Sequence, residues 1–350
     1  MAIHRVILST RLPGEDCAAM KVVQFDRFGP AHEVAHPVET AEPEPCAAGE
    51  VLVEVEAFPI NPVDLLTIAG RYAARPPLPA VPGSEALGRV IAIGDDVTHV
   101  AAGDRVLMLS RENWMQRKKI RAGEAIRIGV DADPLQLAML KINPPTAFLM
   151  LTRYRDLSAG DWVIQNAANS AVGVHLIRLA AALGIRTVNV VRRADAVAPL
   201  EARGADVVLV DGPDLAERVQ AAVGDGNLPL AIDAVAGDAT GRLAACLAEG
   251  GVVVNYGLLS GEPCTVDPHQ VVFRGITLTG FWLVKFLGAM SPEERTSLYA
   301  ELAGRVASGD LRVDVEALYP MDEVGAALAH AARAARGGKV LVTPNGPLSG

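Results

Sequence analysis

The hydrophobic pattern changes texture near residue 130. Before that point the chain is a series of short alternating segments. Met20–Phe25 (MKVVQF) alternates like a strand, and Val51–Ala57 (VLVEVEA) puts Val51, Val53 and Val55 on one face and Glu54 and Glu56 on the other. Ala86–Gly94 and Asp104–Leu109 read as further strands with Gly-Asp turns between them. Asn61-Pro62-Val63-Asp64 opens a short helix, with Pro early in its first turn, and Gly70-Arg71-Tyr72 ends it ahead of a Pro-rich loop from Pro76 to Pro82. This mostly β region predicts a small barrel rather than a layered α/β unit.

From Pro134 the apolar positions fall at helical spacing, giving two helices around Asn143-Pro144-Pro145. Strands then alternate with helices: Trp162–Gln165, Thr187–Val191, Val207–Val210, Leu230–Ala234, Val252–Tyr256 and Ile276–Leu283. Such near-continuous apolar strands imply a parallel sheet covered on both faces. Ser291-Pro292-Glu293-Glu294 is a capping box that starts a helix running to about Ser308. A last helix, about Met321 to Ala335, leads to a strand at Lys339–Thr343. The length of 350 residues predicts two domains. The α/β unit, residues 143–290, reads as an insertion in a domain made of residues 20–142 and 291–350, after an optional or disordered extension at residues 1–19.

The net charge of −9 argues against a general binder of nucleic acid or anionic membranes, and no apolar run approaches the roughly 20 residues of a membrane span. Cys17, Cys46, Cys246 and Cys264 form no C-x-x-C pair and read as scattered reduced thiols. The Ala- and Arg-rich composition fits a bacterial cytoplasmic chain. A mitochondrial matrix location is the expectation if the chain is eukaryotic, although Glu15 and Asp16 are unlike a transit peptide.

Asp161–Arg193 reads as strand, tight turn, helix and strand, the first half of a dinucleotide-binding unit. In the window Ala168-Asn169-Ser170-Ala171-Val172-Gly173 only the third glycine of G-x-G-x-x-G is present, the one needed for close helix–strand packing. Asn169 is suited to a left-handed turn conformation, and Ser170 offers a hydroxyl to phosphate; a merely structural turn is the alternative. An NAD site places an acid at the end of the second strand, whereas this chain has Arg192-Arg193. Two cations suit a 2′-phosphate, hence NADPH, the alternative being an exposed basic pair.

With these residues in view, the chain resembles the medium-chain dehydrogenase/reductases, specifically their 2-enoyl thioester reductase branch. The markers are INP-x-D at Ile60–Asp64, G-x-Y at Gly70–Tyr72, LPAVPGSE at Leu78–Glu85, INPPTAFLML at Ile142–Leu151, QNAANSAVG at Gln165–Gly173, NVVRR at Asn189–Arg193, YG at Tyr256–Gly257 and GFWL at Gly280–Leu283. The resemblance implies an α/β fold in which a doubly wound Rossmann sheet is inserted into a GroES-like β-barrel catalytic domain. It implies NADPH-dependent reduction of the C2=C3 bond of an enoyl-CoA or enoyl-acyl-carrier-protein, and a homodimer paired through the edge strand Ile276–Leu283. Zinc-dependent relatives carry Cys and His ligands where Asn61 and Gly83-Ser84-Glu85 stand here, so no metal is expected.

By the same resemblance Tyr72 is the proton donor, directly or through a water, the alternative being a tyrosine packed on the Pro-rich loop. Asn143 lies near the nicotinamide, and Asn169, Ser170, Ala171, Val172 and Gly173 face the pyrophosphate. Tyr256, Gly257, Leu258 and Leu259, with Phe281, Trp282, Leu283 and Val284, flank the nicotinamide and its ribose. Leu258 and Leu259 replace the family's Gly-Met. Trp282 could instead be plain core. Lys339 either reaches a cofactor phosphate or is a surface lysine. His175 is packing or surface. The run Arg111, Arg117, Lys118, Lys119 and Arg121 either greets the phosphopantetheine of a carrier or is a solvated β face. Two other functions fit the same sequence: an NADPH-dependent quinone or enone oxidoreductase, which would not need Tyr72, and a non-catalytic NADPH binder.

Overall fold

The computed structural model describes residues 19–334 and 336–348, so of the N-terminal extension only Ala19 falls within it. Strands β1 (Ala19–Phe25) and β2 (Ala35–Ala41) pair antiparallel. β3 (Glu50–Pro59) pairs with β4 (Leu87–Ile93) on one side and with β6 (Arg117–Arg121), while β5 (Arg105–Met108) joins β4 to β7 (Ala125–Arg127). The alternation in β3 is the reason: Val51, Val53, Val55 and Ala57 are fully buried, while Glu56 on the other face pairs with Arg89 and Arg105.

The second sheet consists of β8 (Trp162–Gln165), β9 (Arg186–Val191), β10 (Val207–Val210), β11 (Leu230–Asp233), β12 (Val252–Asn255) and β13 (Thr277–Gly280). All neighbours run parallel, in the order β10-β9-β8-β11-β12-β13. The order reverses between β8 and β11, which opens a crevice beyond their C-terminal ends. The chain then returns to the first sheet: β14 (Val315–Pro320) pairs with β15 (Lys339–Thr343), and β15 pairs with β3. The helices Pro134–Ala138, Asn143–Arg153 and Pro292–Ala307 share one core with both sheets, burying Leu137, Met150 and Leu302 among Leu107, Val163 and Ile232.

Two segments differ from the sequence expectation. The strand anticipated at Ile276–Leu283 ends at Gly280, because its partner β12 ends at Asn255; the last bond is Phe281 N–H to the Asn255 carbonyl. Leu283–Ala289 is a helix that packs Leu283, Phe286 and Leu287 on the core. The final helix is also shorter, a 3₁₀ turn Met321–Glu323 followed by Val324–Ala331. No helix among the described residues is long and apolar enough to cross a membrane.

Candidate active site

The turn after β8 is built by backbone. Ala168 N–H reaches the Val190 carbonyl at 3.2 Å, and Ser170 N–H closes on the Ala167 carbonyl at 2.9 Å. Ala167, with φ of 48°, takes the left-handed conformation that the sequence suggested for Asn169. Closing the loop at Ala167 leaves Asn169 free of that constraint. Ser170 caps the helix Ala171–Ala182 by accepting from Gly173 N–H at 3.1 Å. A Cβ on Gly173 would sit 2.4 Å from the Ala168 carbonyl oxygen, so the glycine is required by close packing. The helix start therefore presents backbone N–H groups at the crevice, a disposition suited to pyrophosphate.

Asp233, buried at the end of β11, ties this turn to the next. Its carboxylate accepts from Asn166 Nδ2 (2.6 Å), Val235 N, Ala236 N, Thr240 Oγ1 (2.6 Å) and Asn255 Nδ2 (3.0 Å). Five donors on one carboxylate offset its burial and fix three loops relative to one another. On the loop after β12, a Cβ at Gly257 would lie 2.5 Å from the Ala234 carbonyl oxygen. Tyr256 is partly buried, and desolvation raises the pKa of its phenol, with Ser170 acting in the opposite direction. Leu258 and Leu259 are exposed on this loop.

At the end of β9 the two arginines differ. Arg193 forms a two-point ion pair with Asp195, Nε to Oδ1 at 2.9 Å and Nη2 to Oδ2 at 2.5 Å. Arg192 is exposed and has no ion pair among the described residues.

Tyr72 meets the second domain directly. Trp282 Nε1 donates to the Tyr72 hydroxyl at 2.8 Å, joining the loop after the helix Pro62–Ile68 to the segment after β13. The Arg111 guanidinium lies over the Tyr72 ring, 5.2 Å from its centroid, and donates to Thr67 Oγ1 at 3.3 Å. Trp282 is therefore half-exposed at the domain junction rather than plain core. Phe281 is the buried member of the segment, stacked on Phe286 at 4.8 Å; Leu283 packs on the core and Val284 is exposed.

The remaining polar groups form a buried cluster. Asn61 caps the helix Pro62–Ile68 in a capping box with Asp64, whose other oxygen accepts from Ser84 N–H at 2.8 Å. Asn61 Nδ2 donates to Glu85 Oε1 at 2.7 Å, and Ile142 N–H donates to Glu85 Oε2 at 2.9 Å. Lys141 donates to the Ser84 and Ser110 carbonyls at 2.6 and 2.7 Å. Burial raises Glu85 to about 7 against the pull of Lys339, and lowers Lys141 to about 7 and Lys339 to about 8. His175 is buried too; burial first, then Lys339, lowers its pKa to about 3, so the imidazole is neutral.

Lys339 is not the surface lysine that was one of the two sequence readings: it is 9% exposed, and its ammonium bonds Asn61 Oδ1. The same contact decides the fit to zinc. Asn61 offers an amide, Ser84 a hydroxyl, and an ammonium already occupies the Asn61 oxygen; this set does not suit the ion. Among the described residues no group of three or more His, Cys, Asp or Glu is placed to hold a metal.

Most of the basic run is neutralised. Arg117 pairs with Glu42 and Glu54, Lys119 with Glu50, and Arg121 with Glu124, while Lys118 donates to Ser110 Oγ and Asn113 Oδ1. Only Arg111 turns to the site. Sequence reasoning missed its partnership with Tyr72 and the Glu85–Lys339 cluster. The signal available was that the positions of the missing metal ligands hold Asn61 and Ser84, with Glu85 next in the chain.

A parallel sheet with its crevice facing a barrel defines the class, a nucleotide-dependent dehydrogenase or reductase. A profile of the GroES-like domain of alcohol dehydrogenase matches residues 47–127, and one of zinc-binding dehydrogenases matches residues 171–302. The mitochondrial enoyl-[acyl-carrier-protein] reductase of Caenorhabditis elegans is 35% identical over 314 residues, 87% of this chain and 90% of that protein. A Bacillus thuringiensis structure assigned provisionally as an NADPH:quinone reductase superposes with a TM-score of 0.86 at 31% identity, over 93% of this chain and 99% of that one. The Etr1p complex with NADP and crotonyl-CoA superposes with a TM-score of 0.82 at 26% identity, over 93% and 100%. The chain belongs to the medium-chain dehydrogenase/reductase superfamily, in its 2-enoyl thioester reductase branch.

Proposed function

We propose that the protein reduces the C2=C3 double bond of 2-enoyl thioesters with NADPH. The observation that carries this reading is the Trp282–Tyr72 hydrogen bond. The indole N–H occupies a lone pair of the phenol oxygen and leaves the phenol proton free to be donated. Bound NADPH supplies hydride to Cβ. Tyr72, or a water it holds, delivers the proton to Cα. Arg111 places positive charge beside the phenoxide that this transfer leaves. The cofactor fits the residues present: the glycine-packed helix start for pyrophosphate, Arg192 for a 2′-phosphate, and Asn143, whose buried Nδ2 has no partner among the described residues, for the nicotinamide end.

A homodimer suits the edge of the parallel sheet. Beside β13 stand Val272 and Phe273, 68% and 72% exposed, with Leu278 and Val284. A monomer by sedimentation at working concentration would sink that element. The likeness to the B. thuringiensis protein favours a second reading, quinone reduction.

One assay separates the two: NADPH oxidation with crotonyl-CoA, with longer enoyl-CoAs and with a quinone. Enoyl-CoA turnover is expected, and Tyr72→Phe lowers it roughly 10²–10⁴-fold with NADPH affinity unchanged. Turnover of quinone without turnover of enoyl-CoA overturns the leading reading; NADPH binding with no turnover of either would mark a non-catalytic binder.

A further inference from the structure

Arg111 is exposed, yet its guanidinium has a set place over the Tyr72 ring. Its own side-chain bonds do not account for that. Among the described residues no carboxylate pairs with it, and its one hydrogen bond, to Thr67 Oγ1, is at the long end at 3.3 Å. A long side chain with one weak tether in solvent keeps most of its rotamer freedom, so the placement has to come from the backbone that carries it.

That backbone is fixed at several points. Lys118, on β6, turns its ammonium into the loop Ser110–Trp114 and places all three N–H groups there: on Ser110 Oγ at 3.1 Å, on Asn113 Oδ1 at 2.9 Å and on the Arg111 carbonyl. Among the described residues no carboxylate accepts from Lys118, so the ammonium is bound to the loop rather than to a counter-ion. Burial lowers its pKa to about 8, against the pull of Glu112 and Glu124. Asn113 Nδ2 closes back on the Ser110 carbonyl at 2.8 Å, the same carbonyl that Lys141 holds. Trp114, fully buried and stacked on Phe58, ends the loop, with its N–H on the Pro82 carbonyl at 3.1 Å. Between these bonds Glu112 has φ of 65°, a left-handed conformation uncommon for a residue with a Cβ. Such a conformation persists where its surroundings over-determine it, and it is enriched beside reacting groups.

We propose that Lys118 is a positioning residue for the reaction: it fixes the loop Ser110–Trp114 and thereby holds the Arg111 guanidinium over Tyr72. When Tyr72 gives up its proton, negative charge appears on the phenol oxygen. A cation already in place stabilises that charge, whereas one free to swing into water contributes little. The inference rests on the proton-donor reading of Tyr72 above.

The test is a double-mutant comparison in steady-state reduction of crotonyl-CoA at saturating NADPH. Arg111→Ala is expected to lower kcat about fivefold, the scale of a cation–π contact. Lys118→Met is expected to lower kcat about as much in the native background and less than about twofold further in Arg111→Ala, with NADPH affinity by calorimetry unchanged in both. Ser110→Ala removes one acceptor and keeps the lysine. It replaces Lys118→Met if that variant does not fold, with a loss of about threefold expected in the native background and none in Arg111→Ala. An equal loss in the two backgrounds means that Lys118 only supports the fold and overturns the proposal, as does no loss in the native background. Arg111→Ala with undiminished kcat overturns it too, and leaves the role of Tyr72 to the Tyr72→Phe assay. Wild-type protein without enoyl-CoA turnover overturns the proposed function and this inference with it.

Discussion

The cleft has cations at two places, and they behave differently because water reaches only one. Arg192 and Arg193 stand in solvent at the end of β9; Lys141 and Lys339 are enclosed near Glu85. In solvent a charge is screened, and the exposed Arg193–Asp195 pair adds little to the stability of the fold. In the interior each charge depends on its partners, and removing one leaves another stranded. The exposed pair can select among ligands. The buried pair fixes geometry.

The largest consequence concerns Glu85. Glu85→Ala removes the acceptor of Asn61 Nδ2 and Ile142 N–H and leaves Asp64 as the remaining counter-charge of Lys339. It is expected to destabilise the protein by about 3 kcal/mol or more, read from denaturant unfolding. A loss no greater than a surface substitution would show that water reaches the cluster.

The pH dependence sharpens the same point. Glu85 is raised from 4.5 to about 7 by burial, against Asn61, Lys339 and Lys141 and assisted by Asp64. The folded state therefore holds more protons than the unfolded state between these values, so this group's contribution to stability is full below pH 4.5 and is lost as pH rises to about 7. Glu85→Gln is expected to flatten that part of the stability profile. Lys339, lowered from 10.5 to about 8, acts over a higher window, and its contribution improves as pH rises between those values. An unchanged profile in Glu85→Gln would exclude Glu85 as its source.

The smallest effect lies at the exposed end. Arg192→Ala is expected to weaken NADPH about tenfold with NADH little changed. Arg193→Ala should cost about threefold or less, because Asp195 already holds that guanidinium. Equal effects from the two arginines would mean that Arg193 leaves Asp195 when the cofactor binds.

Much of this was open to sequence reasoning. Period-two alternation located β3, near-continuous apolar runs located the strands of the parallel sheet, and Ser291-Pro292-Glu293-Glu294 located a helix start. Gly173 could be assigned to close packing before the contact with Ala168 was seen. These features follow from local geometry or from one residue's own chemistry. The errors came where a distant partner decides. The strand at Ile276–Leu283 stopped where β12 stopped, and the left-handed residue was Ala167 because bonds to Val190 and Ser170 closed the turn there.

The sequence by itself determined the alternation of elements, the small-residue turn and the arginines that end β9, since periodicity, size and charge are properties of neighbouring residues. Only the tertiary structure decided that Tyr72 meets Trp282 across 210 positions, and that Lys339 meets Asn61 across 278. Burial and partnership are set by chain segments far apart. The same lysine is a solvated cation on a surface and an oriented donor inside.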